Sequence, residues 1–420
     1  MNFFKTSFWS ALSTIIKVLA SIITTKVIAI LVGPNGVALL GNYTNVTGIL
    51  LTFSNGAISS GITKYISEFE LEEEKKIIVS HSLKITLFCS SILGVVILVI
   101  NKFLSKIVFG TDEYKSVFIL IGLTLIFFGL NTTISAIYNG YRLIRYLIIT
   151  GIIGSILSVI VALVITLRFG LFGALINIVI AQIFIFIINI KFIRDSRIFE
   201  LKDLFQMPID NKIIWKLLRY AVMSLISAIF IPMSTFIIRK YIIDNFSTTE
   251  AGYIQGVWSI SGAYLMVVTT TLSIYYLPTL SRIKNNYELR LEIFRGYKFL
   301  LPMTILGGFL IYVCRDLIIY VLYTPEFIPM RNYFTFQIIG DSLKIASWIL
   351  AFIMVAKAMT KWFILSEILY SVINVIISIL FIKKFGPIGA TYAYSLVYTI
   401  YLFFLIILFK KLIFYRSYTK

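Results

Sequence analysis

Residues 146–167 read YLIITGIIGSILSVIVALVITL and residues 171–193 read LFGALINIVIAQIFIFIINIKFI, with only Arg168, Phe169 and Gly170 between them. Each run is long enough to cross a bilayer as a helix, which takes about 20 apolar residues. Backbone polar groups find no water in lipid, so a spanning segment must satisfy them internally, and an unbroken apolar run does so as an α-helix. The alternating ten-residue pattern of a membrane β-barrel is absent.

The same signature recurs outward in both directions. Runs at 8–32, 37–62, 82–101, 116–140, 214–238, 251–278, 297–318, 330–356, 362–382 and 389–411 join the two above. Of the 420 residues 59% are hydrophobic and 15% aromatic, with mean hydropathy +0.95, against an apolar share near one half in soluble domains. The expected fold class is therefore all-α, a polytopic membrane protein of about twelve transmembrane helices. The run from Phe8 to Val32 exceeds a signal-peptide core and no small-residue cleavage site closes it, so it reads as a retained first helix. Cys89 and Cys314 have neither metal-ligand spacing nor the count of a disulfide framework.

A net charge of +19 raises the question of nucleic acid, but the basic residues sit in short connections between apolar runs, so anionic phospholipids are the expected partner and nucleic acid is not. With twelve spans, roughly 25 of the 38 basic residues fall on one side and about 10 on the other, the asymmetry of the positive-inside rule. Both termini are then expected in the cytoplasm.

Arg168–Ala174 (RFGLFGA) recurs as Lys384–Ala390 (KFGPIGA), and Thr111–Tyr114 more loosely as Thr324–Phe327, an offset of about 215 residues that predicts two six-helix halves of parallel topology. The expected division is an N-lobe at 1–193, a cytoplasmic linker at 194–213 and a C-lobe at 214–420.

Polar groups at membrane depth are costly and mark interiors or wet cavities. In the first span Ser10, Ser13, Thr14, Lys17, Ser21 and Thr24 share an arc of about 100°, with Lys26 on the opposite side. Gln337, Asp341, Lys344 and Trp348 cluster within about 60° in the tenth span, where Asp341 and Lys344 are spaced to pair directly. Glu367, Arg239 and Lys240 complete the charged set, and Pro232 is a candidate hinge. Asn45 and Asn55 lie on one side of the second span. Trp258 and Trp348 sit deep enough to stack on a sugar. His81, at the start of the third span, reads as interfacial.

Several of these stretches together resemble a family: FWSALSTIIK at 8–17 with Lys26, VGPNG at 32–36, GITKYI at 61–66, YLPTLSR at 276–282 and GDSLK at 340–344. The chain resembles, from end to end, the Wzx-type O-antigen and enterobacterial-common-antigen translocases. These form part of the polysaccharide-transport branch of the multidrug/oligosaccharidyl-lipid/polysaccharide (MOP) superfamily. The resemblance implies a two-lobed, MATE-like exporter that flips an undecaprenyl-pyrophosphate-linked oligosaccharide from the cytoplasmic to the periplasmic leaflet of a bacterial inner membrane by alternating access. It implies a cationic cavity for the pyrophosphate, in which Lys17, Lys26 and Lys344 would serve, with Arg142, Arg239 and Lys240 at the mouths. Asp341 and Glu367 would couple transport to H+ or Na+, without any other cofactor or metal. Trp258, Trp348, Asn45 and Asn55 would contact glycan. The protein would act as a monomer, with an O-antigen polymerase and a chain-length regulator as partners.

Two other readings stay open. A membrane enzyme on the same carrier, such as a polymerase or ligase, needs acid/base residues on a sizeable outer loop, and the outer connections are short. A MATE-like multidrug cation antiporter shares the expected fold, though basic intramembrane residues suit an anionic cargo better.

Overall fold

The computed structural model describes residues 3–196, 211–272, 276–357 and 359–414. The chain packs into two compact units, Met1–Pro232 and Met233–Lys420, taken separately below.

Unit 1 contains α1 (Phe3–Ser54), α2 (Ser59–Glu68), α3 (Glu72–Phe109), α4 (Lys115–Gly140), α5 (Ile144–Ser196) and the first part of α6 (Asn211–Asn245). Unit 2 holds the rest of α6, then α7 (Thr248–Thr271), α8 (Leu277–Arg282), α9 (Asn286–Val313) and α10 (Arg315–Leu322). A 3-10 stretch at Pro325–Tyr333 leads into α11 (Phe334–Ala356), followed by α12 (Thr360–Phe385), α13 (Gly389–Leu408) and α14 (Lys410–Phe414). Most of the expected linker 194–213 lies outside the described residues.

Two of the longest helices are hairpins. Gly33 in α1 and Gly170 in α5 leave helical geometry at φ 66° and φ 57°, a left-handed backbone that glycine adopts at little cost. The chain doubles back at each: Asn177 donates to Ser158 Oγ across the second turn at 3.4 Å. Gly386, between α12 and α13, turns in the same way at φ 74°. Three residues after Gly170 and Gly386 come Gly173 and Gly389, where a Cβ would lie 2.3 Å from a carbonyl of the incoming helix. The repeated sequence thus encodes a repeated turn.

Among the described residues, nine helical stretches are long and apolar enough to cross a membrane. Two of them are the hairpins and count double, and α7, too polar to be among the nine, brings the helices to twelve. Large apolar side chains such as Phe88, Val99, Leu123, Phe299 and Tyr320 are exposed, as suits a multi-pass protein whose solvent is lipid.

The expected boundaries shift where a helix stops short of its apolar stretch or outruns it. The second span ends at Ser54, because Gly56 and Ala57 take positive φ and start α2 afresh. The third helix begins at Glu72, well before 82, on three glutamates that suit the positive end of its dipole. His81 is therefore inside that helix and buried in the protein, with Nδ1 2.8 Å from the Ile77 carbonyl.

Candidate functional site

Unit 2 gathers charge in its interior. Asp341 on α11 is fully buried and its carboxylate is ringed by donors. Ser261 and Tyr264, three residues apart on α7, both donate to Oδ2, the tyrosine at 2.8 Å. Gln337, one turn earlier on α11, donates to Oδ1 at 3.2 Å, and Tyr394 of α13 to the same oxygen at 3.0 Å. Hydrogen bonds to a charged group contribute about 1.5–3 kcal/mol each, so the ring stabilises a carboxylate that burial alone would penalise. Gly340 permits it: a Cβ there would meet the Tyr394 ring at 2.3 Å.

The direct Asp341–Lys344 ion pair expected from their spacing does not form. The hydroxyl and amide donors occupy the carboxylate, and the Lys344 ammonium instead sits 4.9 Å from the Trp348 ring centre and 6.0 Å from that of Tyr398. The two charges interact at longer range. Tyr398 packs against Tyr370 at a tilt and against Tyr394 edge to face, each 4.9 Å away between ring centres. Glu367 on α12 lies within electrostatic reach of Tyr370, Tyr398 and Tyr401, and its Oε2 is buried without a hydrogen bond among the described groups.

A second cation sits on a second tryptophan. Arg239 of α6 is 1% exposed, donates from Nη2 to Gln255 Oε1 at 2.5 Å and lies 5.3 Å from the Trp258 ring centre. Such cation–π contacts contribute up to about 2 kcal/mol when desolvated. Gln255, Trp258, Ser261 and Tyr264 recur every third residue along α7, a ridge that carries partners for both Arg239 and Asp341. Ser247 caps the start of α7 by accepting from Glu250 N at 3.1 Å. Lys240 points elsewhere, toward Asp244 at 3.8 Å, with both side chains about half exposed.

The remaining candidates belong to unit 1. The side chain of Lys17 lies outside the described residues. Lys26 is half-buried on α1, and Arg142 is exposed in the turn after α4, itself at φ 57°. Asn45 donates to the Pro232 carbonyl at 3.2 Å. Asn55 closes the α1–α2 turn, donating to Ser59 Oγ at 2.7 Å and accepting from Ala57 N at 2.9 Å. It also lines a cavity of about 460 Å³ with Thr52, Ser59, Thr132, Ser224 and Ser227. A further cavity of about 550 Å³ is bordered by uncharged groups, among them Thr24, Thr44, Ser155, Asn177 and Gln182. Among the described residues no cluster of three or more His, Cys, Asp or Glu is arranged to hold a metal.

The sequence reading placed Gln337, Asp341, Lys344 and Trp348 on one face of one helix, where Gln337 meets Asp341 and Lys344 meets Trp348, and missed Ser261, Tyr264, Gln255 and Tyr394. For Gln255, Ser261 and Tyr264 the one legible signal was the run of hydrogen-bonding side chains at intervals of three along one segment; Tyr394, on α13, had none.

The family model described as "Polysaccharide biosynthesis protein" matches residues 3–284. The lipid III flippase of Escherichia coli (strain K12) and that of Shigella flexneri are each 28% identical to this chain over 403 residues, 96% of this chain and 96% of theirs. In structure, an inward-facing multidrug resistance MATE family transporter of the MOP superfamily superposes with a TM-score of 0.80 at 13% identity, covering 95% of this chain and 98% of that one. The lipid II flippase MurJ in an inward closed conformation gives 0.74 at 16% identity, covering 97% and 87%. At such identities the likeness establishes a shared fold, the all-α polytopic fold of MOP transporters.

Proposed function

The chain belongs to the polysaccharide biosynthesis protein family, and from that premise we propose that it is a flippase, not an enzyme, which moves a lipid-linked oligosaccharide between leaflets by alternating access. End-to-end similarity to two lipid III flippases supports this reading. The observation in the chain's own residues that carries it is the pair of cations held on tryptophan faces, Arg239 on Trp258 and Lys344 on Trp348. A pyrophosphate-linked sugar presents both chemistries that such pairs meet: a dense anion for the cations, and a sugar face for aromatic rings.

In this reading the cargo is an undecaprenyl-pyrophosphate-linked unit of the O-antigen or enterobacterial-common-antigen type. Lys17, Lys26 and Arg142 add charge along its route, Lys240 at the mouth adds little beyond its pair with Asp244, and Asn45 and Asn55 offer amides to glycan. Asp341 and Glu367 couple movement to H+ or Na+, the segment 194–213 links lobes at 1–193 and 214–420, and Pro232 serves as a hinge within α6. The protein works as a monomer in a bacterial inner membrane with both termini cytoplasmic, supplying a polymerase and its chain-length regulator.

Reconstitution into vesicles loaded with fluorescent lipid-linked oligosaccharide tests the proposal. We expect gradient-dependent transfer of the label to the outer leaflet with its mass unchanged. A glycolipid altered in mass would turn the reading toward an enzyme. Efflux of organic cations without glycolipid transfer would turn it toward a drug antiporter.

A further inference from the structure

Away from the buried charges, unit 2 carries a cavity of about 770 Å³ lined by Lys284, Arg290, Lys357 and Lys411, with no acidic residue among the described residues of its lining. Three connections meet there: the approach to α9, the end of α11 and the start of α14. The first turn of α9 borders the cavity through Asn286 and Tyr287, so the positive end of that helix dipole adds to the four cations. Lys357 is anchored by donating to the Ile283 carbonyl. Glu288, in the same turn of α9, is exposed and stays out of the lining.

The flank of the cavity is apolar. Tyr287, Leu291 and Phe294 on α9 are 60%, 42% and 48% exposed, and below them Phe299, Met303 and Leu306 continue an exposed apolar surface along the same helix. A soluble anion would use the cations and leave this surface bare. A phospholipid uses both, with phosphate among the basic side chains and acyl chains along α9. Basic pockets at the ends of membrane helices are suited to such headgroups.

We propose that this cavity binds an anionic phospholipid headgroup, with charge and room for two phosphates. It is separate from Arg239, Asp341 and Lys344, and does not rest on the transport reading. The lipid would tie the α9, α11 and α14 ends together at one membrane surface.

Native mass spectrometry of the full-length protein in detergent, titrated with diphosphatidylglycerol, phosphatidylglycerol or phosphatidylethanolamine, reads the site without any transport step. Diphosphatidylglycerol should bind most tightly and phosphatidylethanolamine least. At about fivefold per cation removed, Lys284→Gln/Arg290→Gln/Lys411→Gln should weaken the anionic lipid roughly 100-fold. Should that variant fold poorly, Lys284→Gln/Lys411→Gln, which changes only two exposed side chains, should weaken it about 25-fold. Lys284→Arg/Lys411→Arg should keep binding, and Lys102→Gln/Lys106→Gln/Lys115→Gln, at the end of α3 and the start of α4, should leave it unchanged. Equal weakening by the two triple variants would overturn the proposal in favour of bulk charge attraction. Equal affinity for phosphatidylethanolamine would overturn it too, as would displacement of the lipid by inorganic pyrophosphate at matching concentration, which marks a site for soluble anions.

Discussion

The interiors of the two units solve the problem of polarity in a membrane protein differently. Among the described residues, every buried charged side chain, Arg239, Glu292 and Asp341, belongs to unit 2. Unit 1 buries amides and hydroxyls that satisfy one another between helices. Asn189 donates to Asn131 at 2.9 Å and Asn131 to Gln182 at 2.9 Å, Thr86 meets Thr133 at 2.7 Å, and Tyr43 reaches the Leu175 carbonyl at 2.9 Å. Such bonds contribute about 0.6–2 kcal/mol each and their geometry is helix-to-helix. Charge at membrane depth costs more and is retained for work on a cargo or an ion. The contrast implies that mutations among the buried amides, hydroxyls and close helix contacts of unit 1 act on the amount of folded protein, and mutations of the buried charges of unit 2 on transport per folded molecule.

The largest effect should come from breaking the adhesive interior. Gly94 of α3 faces Gly122 of α4 so closely that a Cβ would lie 2.6 Å from the Gly122 carbonyl, and backbone cannot move aside as a flexible side chain can. Gly94→Val should cost about 3 kcal/mol and strip most of the protein from the membrane fraction. Normal yield and thermal stability in detergent would break the comparison at its structural end. Next comes Asp341→Asn, which keeps the shape and removes the charge. Transport should fall at least tenfold, a loss of about 1.4 kcal/mol or more, at unchanged yield. If Asp341→Asn/Lys344→Gln restores transport, the two charges serve only to balance each other and the coupling role is lost.

Much of this was legible in the sequence, and the reasons differ by feature. Helix number follows largely from apolar length, because lipid offers no other partner for the backbone, with α7 the helix whose polar residues blur that signal. The turns at Gly170 and Gly386 were visible because both halves spell them with the same residues. The turn at Gly33 was visible too, as the VGPNG stretch that parts the runs 8–32 and 37–62, and its positive φ matches that of the other two. The cluster of Asp341, Lys344 and Trp348 could be read because one helix carries all three. The ring around Asp341 could not, since Ser261, Tyr264 and Tyr394 stand 80, 77 and 53 positions away. That omission produced the misread ion pair: spacing on a helix says which groups can meet, not which competing donors will arrive first from elsewhere.

A moderate effect is expected at Lys344. Lys344→Ala removes a cation from the Trp348 face, worth about 1–2 kcal/mol if the site is desolvated, and should lower transport several-fold while yield holds. Lys344→Arg keeps the charge and stacks well, and should retain most activity. If Lys344→Ala lowers yield and transport in proportion, the residue belongs with the adhesive class.

The smallest effect should fall on the neighbour of the most buried cation. Lys240 follows Arg239 on α6, a step of about 100° around the helix, and that step takes it from a 1% exposed position to an ordinary pair with Asp244 at 3.8 Å, both side chains about half exposed. Exposed pairs of this kind contribute about 0–1 kcal/mol, so Lys240→Gln should leave stability and transport nearly unchanged. Arg239→Gln removes the group that Gln255 and Trp258 surround and should reduce transport sharply. The two substitutions remove the same unit of charge from adjacent positions, so net charge and membrane surface potential change alike. A difference between them therefore reports burial. Equal losses would mean that charge along this stretch of α6 acts by long-range attraction, and the distinction between an interior that works on cargo and a surface that does not would fail at its closest test.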